Sequence, residues 1–292
     1  MALWDHIAAQ ISAASGESFE IKTRQGVSGG CINSAYRLKG ADGRHYFVKL
    51  NQAESLAMFE AEAEGLHELA KAEAIRVPQP VCSGIADDQA FLVLEDLALG
   101  GAGSMVEFGQ QLAQLHAHTQ ERFGWWRENT IGATLQVNEP DTDWVSFWRE
   151  RRLGFQLRMA EKKGAPHRLI DKGEKLLAGF AVLFNDRQPQ ASLLHGDLWS
   201  GNYAFARTGE VVIFDPAVYY GDREADIAMT ELFGGFSADF YAAYEAIRPL
   251  DEGYAVRKLL YNLYHILNHF NMFGGGYGAQ AEGMIARLLA EL

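Results

Sequence analysis

With 292 residues, 48% hydrophobic and 22% charged, the chain has the composition of a soluble globular protein and the length for two lobes, or for one domain with a large insertion. Its formal net charge of -12 argues against a nucleic-acid partner, which needs a basic face, and is compatible with a cationic small substrate. No stretch approaches the roughly 20 apolar residues of a membrane span, Asp5 and His6 stand where a secretory signal would be basic, and two cysteines, Cys31 and Cys82, support neither a disulfide framework nor a zinc site, so a reducing cytoplasm is expected.

Leu3, Trp4, Ile7, Ala8 and Ile11 recur at helical spacing and predict an opening helix that Gly16 ends. Strands are predicted at Phe19–Arg24, Ala35–Leu38 and Tyr46–Leu50, the last two joined by the turn Ala41-Asp42-Gly43-Arg44. Residues 54–72 read as a helix with Leu56, Phe59, Leu66 and Leu69 on one face and glutamates on the other. Pro78 and Pro80 interrupt, and Phe91-Leu92-Val93-Leu94 reads as a buried strand. After Leu97 the character changes: Gly100, Gly101 and Gly103 form a loop, and helical stripes dominate beyond it. The stripes are Phe108, Leu112 and Leu115; Trp144, Trp148, Phe155 and Met159; Phe236, Phe240, Tyr244 and Ile247; and Leu259, Leu263, Ile266, Leu267 and Phe270. The run Leu176–Phe184 is read as a buried helix. The expected plan is therefore α+β and two-lobed, a small β-rich lobe over 1–97 and a larger helical lobe over 98–292.

Several residues fall where phosphoryl-transfer chemistry needs them. The loop Gln25-Gly26-Val27-Ser28-Gly29-Gly30-Cys31 could bring backbone N–H groups to phosphate oxygens, with Gly26, Gly29 and Gly30 permitting close approach, or it could be a plain hairpin turn. It is not a Walker A loop, since no Gly-Lys-Ser/Thr follows. Lys49 ends the third strand, where a solvent-facing lysine is one reading and a phosphate contact oriented by a helix glutamate is the other. Glu62 borders the apolar stripe of the next helix and is the expected partner, with Glu64 second and a solvated acidic face as the alternative. Glu95-Asp96-Leu97, after the buried strand, is where a kinase fold presents backbone groups to adenine, although an ordinary loop of this composition would look the same.

The strongest signal is His195-Gly196-Asp197-Leu198-Trp199-Ser200-Gly201-Asn202, followed by the apolar Val211-Val212-Ile213-Phe214 and Asp215. An Asp, an Asn five residues on and a second Asp behind a short strand match the catalytic apparatus of a kinase fold. Asp197 would orient the substrate hydroxyl and take its proton late, while Asn202 and Asp215 are hard oxygen ligands for Mg²⁺ on ATP. His195 reads as a hydrogen-bonded support rather than a base. Gly196 stands where protein kinases often carry an arginine that answers an activation-loop phosphate, and Pro216 stands where they have glycine, stiffening the loop. Few residues separate Asp215 from Gly221, too few for a peptide-docking segment, so a small molecule or exposed side-chain adduct is favoured over an extended protein substrate.

These segments, with Phe214-Asp215-Pro216-Ala217 and Tyr220-Gly221-Asp222-Arg223-Glu224-Ala225-Asp226-Ile227-Ala228-Met229, resemble the fructosamine (ketosamine) kinase family. So do Gly29-Gly30-Cys31-Ile32-Asn33, Glu62-Ala63-Glu64-Gly65-Leu66, Leu267-Asn268 and Phe273-Gly274-Gly275, which extend the resemblance over nearly the whole chain. The HGD…N…D pattern alone is shared with aminoglycoside and choline kinases of the protein-kinase-like fold; Trp199-Ser200-Gly201 and the GDRE segment discriminate. The resemblance implies phosphorylation by ATP and Mg²⁺ of the 3-hydroxyl of a ketoamine, followed by release of the amine from an unstable product, a repair of glycated amines. It implies Asp197 as base, Asn202 and Asp215 as metal ligands, and Lys49 with Glu62 as the phosphate pair. The implied partner is a small ketoamine or a glycated amine or lysine adduct, with no nucleic acid or membrane, for a cytoplasmic monomer or homodimer.

Trp199 could stack on the sugar or form a wall of the core. Asp222 and Arg223 could touch substrate, or with Glu224 and Asp226 could brace the catalytic loop, Asp226 accepting N–H bonds around His195. Cys31 could be a buried small hydrophobe or an oxidisable thiol beside the phosphates. A kinase of an aminoglycoside, choline or a methylthio-sugar is the nearest rival reading, and a non-catalytic nucleotide-binding scaffold a more distant one.

Overall fold

A computed structural model describes residues 3–27, 33–185 and 187–292. Helix α1 (Leu3–Ser15) precedes an antiparallel sheet of β1 (Ile21–Val27), β2 (Ser34–Gly40) and β3 (His45–Gln52). Helix α2 (Leu56–Lys71) and the hairpin of β4 (Pro80–Ala86) and β5 (Gln89–Glu95) follow, giving the sheet order β1-β2-β3-β5-β4. Strand alternation separates the two faces. Val48 and Leu50 on β3, with Phe91 and Val93 on β5 and Leu38 on β2, pack against Ile7 and Ile11 of α1 in one buried cluster. Lys49 has the opposite parity, and its amine meets Glu62 of α2.

Strand β4 has no strand signature in the sequence, because Pro80, Cys82 and Gly84 break its apolar alternation. Proline is tolerated here because β4 lies at the sheet edge, opens on Pro80, and shifts register between Pro80 and Cys82.

From Ser104 the chain is mainly helical. Helix α3 (Met105–Leu115) starts at Ser104, whose hydroxyl accepts the N–H of Glu107. The short strands β6 (Thr119–Gln120), β7 (Asn129–Ile131) and β8 (Thr134–Gln136) follow, then α4 (Trp144–Phe147), a π-helical turn over Trp148–Leu153, α5 (Gly154–Lys162) and α6 (His167–Gly179). The expected helix over Leu176–Phe184 is the end of α6 continuing as a 3-10 turn over Phe180–Phe184. Strand β9 (Ala191–Leu194) leads into the His195 loop. A hairpin of β10 (Tyr203–Phe205) and β11 (Val211–Ile213) carries the chain to Asp215, and β12 (Tyr219–Gly221) pairs with β9. The remainder is α7 (Glu224–Leu232), α8 (Ala238–Ile247), α9 (Tyr254–Phe273) and α10 (Tyr277–Leu289). In α9 every residue from Leu260 to Asn268 is buried, as expected of a helix enclosed by others.

The chain forms two compact units, Met1–Gly103 with Ala204–Asp215, and Ser104–Tyr203 with Pro216–Leu292. The boundary expected after Leu97 lies a few residues later, and the segment before Asp215 belongs to the first unit. The reason is backbone pairing: the N–H groups of Gly100 and Gly101 both donate to Phe205 O at 3.0 Å, and Ile213 N donates to Arg76 O at 3.0 Å. Among the described residues no helix is long and apolar enough to cross a membrane.

Candidate active site

In the first unit, three charged side chains from distant parts of the chain converge. Lys49 is buried, and its Nζ lies 2.5 Å from Glu62 Oε1 and 2.5 Å from Asp215 Oδ1. Burial alone would lower the lysine pKa, but the Asp215 and Glu62 carboxylates outweigh it and hold the ammonium charged well above its ordinary range. Burial pushes the Glu62 carboxyl up, opposed by Lys49. Asp215 follows β11 with φ of 56°, in the left-handed region that an Asp side chain tolerates better than most, and its carboxylate is about half exposed. Two carboxylates against one ammonium leave one excess negative charge, and the accessible oxygen donor is of the kind Mg²⁺ prefers. Among the described residues no group of three or more His, Cys, Asp or Glu is gathered as a metal cage. An ion carried on nucleotide phosphates needs only one or two protein ligands, so the residues fit that cofactor.

In the second unit, the loop from His195 to Asn202 is braced from within. Asp226 on α7, wholly buried, accepts the backbone N–H of His195 at 2.7 Å and of Gly196 at 2.8 Å. Burial works against its charge, yet the bonds from His116 and the loop hold its pKa below the ordinary carboxylate range. His116, just past α3, lies 3.2 Å from Asp226 through Nε2 and 2.8 Å from the Tyr244 hydroxyl through Nδ1. Burial lowers the His116 pKa, and Arg223 and Arg248 lower it further. The neutral ring therefore donates Nε2–H to the ionised Asp226 and accepts from Tyr244.

Gly196 is required at its position: its φ is 83°, and a Cβ there would stand 2.0 Å from Ala217 O. This is a steric reason for glycine where protein kinases place arginine. The His195 ring accepts the Asp197 N–H through Nδ1 at 3.2 Å, and Ala217 N donates to His195 O at 2.8 Å, the supporting part expected of this histidine. Asn202 donates from Nδ2 to Asp197 O at 2.8 Å and to Asp197 Oδ2 at 3.1 Å, which fixes the Asp197 carboxylate. Its carbonyl Oδ1 is the atom it would offer a cation.

Glu95 receives Arg76 Nη2 at 2.5 and 2.6 Å on its two oxygens, and Asp96 receives Arg37 Nε at 3.1 Å, so both side chains are engaged within the first unit. Leu97 O accepts the N–H of Leu99 in a tight turn at 2.8 Å. Gly26 lies on β1 opposite Tyr36. Gly29, Gly30 and Cys31 lie outside the described residues. Trp199 is half-buried, its ring edge-on to Phe233 at 5.9 Å between centroids. Asp222 is buried; it accepts from Tyr261 at 2.5 Å and from Arg187 and braces the start of α7 through Glu224 N at 3.1 Å. Arg223 donates to Tyr244 at 3.2 Å, Arg248 O at 3.1 Å and Pro249 O at 2.6 Å.

Sequence reasoning missed His116, Tyr244 and Arg187, which have no local pattern to betray them. It also missed buried Arg152, whose guanidinium lies 4.1 Å over the Tyr219 ring while donating to Asn138 Oδ1 at 2.8 Å. Gln136 donates to Ala217 O at 3.0 Å and Asn129 to Val218 O at 2.7 Å, so β7 and β8 hold the segment after Asp215. The only signal for these residues was their polarity in otherwise apolar surroundings.

Comparison with known proteins agrees over the full length. The family model described as fructosamine kinase matches residues 3–291. A protein of Synechocystis named "Probable ketoamine kinase" is 50% identical, the match covering 98% of this chain and 97% of that one. The chloroplastic protein-ribulosamine 3-kinase of Arabidopsis thaliana is 41% identical over 92% of this chain and 83% of its own. The crystal structure of a Haemophilus somnus protein, named as a candidate fructosamine-3-kinase, superposes with a TM-score of 0.89 at 32% identity, covering 98% and 97% of the two chains. Phosphotransferases at 15–16% identity share the fold alone.

Proposed function

Because the chain belongs to the fructosamine kinase family, we propose that it transfers the γ-phosphoryl group of ATP to the 3-hydroxyl of a ketoamine, the rearranged adduct of a sugar on an amine. The observation that carries the reading is the buried Lys49 held between Glu62 and Asp215, in a chain half identical to a protein named "Probable ketoamine kinase". A phosphate-binding lysine must be charged and aimed, and the two carboxylates do both. Asp197 accepts the hydrogen bond of the substrate hydroxyl and aligns its oxygen on the γ-phosphorus, taking the proton as the new P–O bond forms. The bond from Asn202 to Asp197 Oδ2 keeps that carboxylate in one orientation. Asn202 and Asp215 would hold Mg²⁺, which when bound neutralises charge on the phosphates. The phosphorylated adduct is unstable and releases the amine, which makes the reaction a repair of glycated amines.

The test is phosphoryl transfer from ATP with Mg²⁺ to fructosyl-lysine, ribulosyl-lysine and kanamycin in parallel. Transfer to one or both ketoamines is expected; turnover confined to kanamycin would overturn the ketoamine reading. Asp197→Asn is expected to bind ATP and lose transfer, and unchanged transfer would mean that the base lies elsewhere.

A further inference from the structure

A cavity of about 340 Å³ in the second unit is lined by Arg187, Gln188, Gln190, Ser192, Asp222, Arg223 and Arg248. Its size is at the lower end of the roughly 300–1,000 Å³ typical of small-molecule sites, and its lining is polar and rich in guanidinium groups. The arginines are not equivalent. Arg187 is met by Asp222, Glu224 and Asp251, the last two of which it shares with Arg257. Arg223 and Arg248 meet no carboxylate among the described residues. Arg223 donates only to Tyr244 and two backbone carbonyls, and Arg248 donates Nε to Ala113 O at 2.8 Å. The terminal nitrogens of Arg248 make no hydrogen bond among the described residues. Ser192, only 1% exposed on β9, lines the same cavity. The one carboxylate of the lining, Asp222, is taken up by Arg187 and Tyr261, so two uncompensated guanidiniums beside neutral amides and a hydroxyl suit one kind of ligand: a phosphate that wants forked donors, on a body that carries hydroxyls.

We propose that this cavity binds a small phosphorylated, hydroxylated anion, with Arg248 and Arg223 on the phosphate and Gln188, Gln190 and Ser192 on the hydroxyls, and that its occupancy is felt at the His195 loop. Two connections run there. Ser192 lies on β9, three residues before His195. Arg223 donates to Tyr244, Tyr244 to His116, and His116 to Asp226, the carboxylate that holds the His195 and Gly196 N–H groups. An anion that draws Arg223 toward it acts on the first member of that series.

The proposal does not rest on the ketoamine reading, and its test needs no turnover. The full chain is saturated with AMP-PNP and Mg²⁺, so that nucleotide phosphate sites are filled, and titrated calorimetrically with fructose 6-phosphate, fructose and inorganic phosphate. Fructose 6-phosphate is expected to bind one-to-one with Kd of about 1 mM or tighter, inorganic phosphate more weakly, and fructose not at all. Arg248→Gln should weaken fructose 6-phosphate at least about tenfold while leaving AMP-PNP affinity unchanged. Equal binding by wild type and R248Q, or no binding by either, overturns the site, and phosphate binding as tight as fructose 6-phosphate overturns the hydroxyl contacts. Hydrogen exchange at the His195 and Gly196 amides should change on saturation in wild type only; no change overturns the connection to the loop.

Discussion

The ammonium nitrogen of Lys49 lies 2.5 Å from Oδ1 of Asp215, although 166 positions separate the two residues in the chain. A lysine this deeply buried persists only while its carboxylate partners do, and they in turn depend on it. Lys49→Met keeps the aliphatic volume and strands Glu62 as a buried charge. We expect a loss of about 3–5 kcal/mol in urea unfolding, together with loss of phosphoryl transfer. The double variant Lys49→Met, Glu62→Gln should recover part of the stability but none of the activity. A single variant within about 1 kcal/mol of wild type, the range of surface pairs, would mean that the charges are solvated rather than mutually dependent.

Asp226 offers a second separation of fold from chemistry. Its two oxygens collect N–H groups from His195, Gly196 and His116. Asp226→Asn presents one oxygen and one amide to those donors, so a buried backbone N–H is left without an acceptor, at a cost of about 1–3 kcal/mol. Because the stranded donor lies in the loop that carries Asp197, kcat should fall at least about tenfold with little change in KM for ATP, as expected when a reacting group is displaced. Wild-type kcat in a folded Asp226→Asn protein would show that the loop holds its shape without this carboxylate.

What was legible in the sequence and what was not follow from one distinction, local spacing against distant convergence. Asp197, Asn202 and Asp215 stand in a short window because one loop and one hairpin supply them, and β1, β2, β3 and β5 show themselves through alternation or continuous apolar runs. The strands β6, β7 and β8 are two or three residues long, too short for any period. Glu62 could be favoured over Glu60 and Glu64 from its place beside the apolar stripe, but its bond to Asp215's own partner required the fold. The contact of His116 with Asp226 joins residues 110 apart, and Tyr244 joins the same ring from 128 residues away. Neither element carries a pattern that announces the other.

Acid sensitivity is expected to arise in part from His265 on α9. Burial, with His269 adding to it, pushes this imidazole down to about 3. In the unfolded chain it titrates near the ordinary 6.5. Between those values the unfolded state binds a proton that the folded state refuses, so stability falls as pH drops through about 6.5 and continues to fall toward 3. The slope from this one group is at most about 1.4 kcal/mol per pH unit. His265→Asn, which cannot take up that proton, should flatten the pH dependence of unfolding between pH 6 and 4 relative to wild type. Parallel curves would assign the acid response to other groups.

A Cβ on Gly201 would lie 2.4 Å from Cζ2 and 2.5 Å from Cη2 of the Trp199 indole, so the ring lies directly against the glycine backbone. Trp199 also meets Phe233 edge-on at 72°. Gly201→Ala therefore has to displace the indole while leaving its chemistry intact, whereas Trp199→Leu removes the aromatic face and keeps bulk. If the ring stacks on the C–H face of the sugar, both variants should raise KM for the ketoamine about tenfold, the worth of one aromatic contact of about 1–1.5 kcal/mol. KM for ATP should stay near wild type in both. If the indole is instead only a wall of the core, Gly201→Ala should lower the melting temperature and leave the ketoamine KM where it was, so the two roles divide on a single pair of measurements.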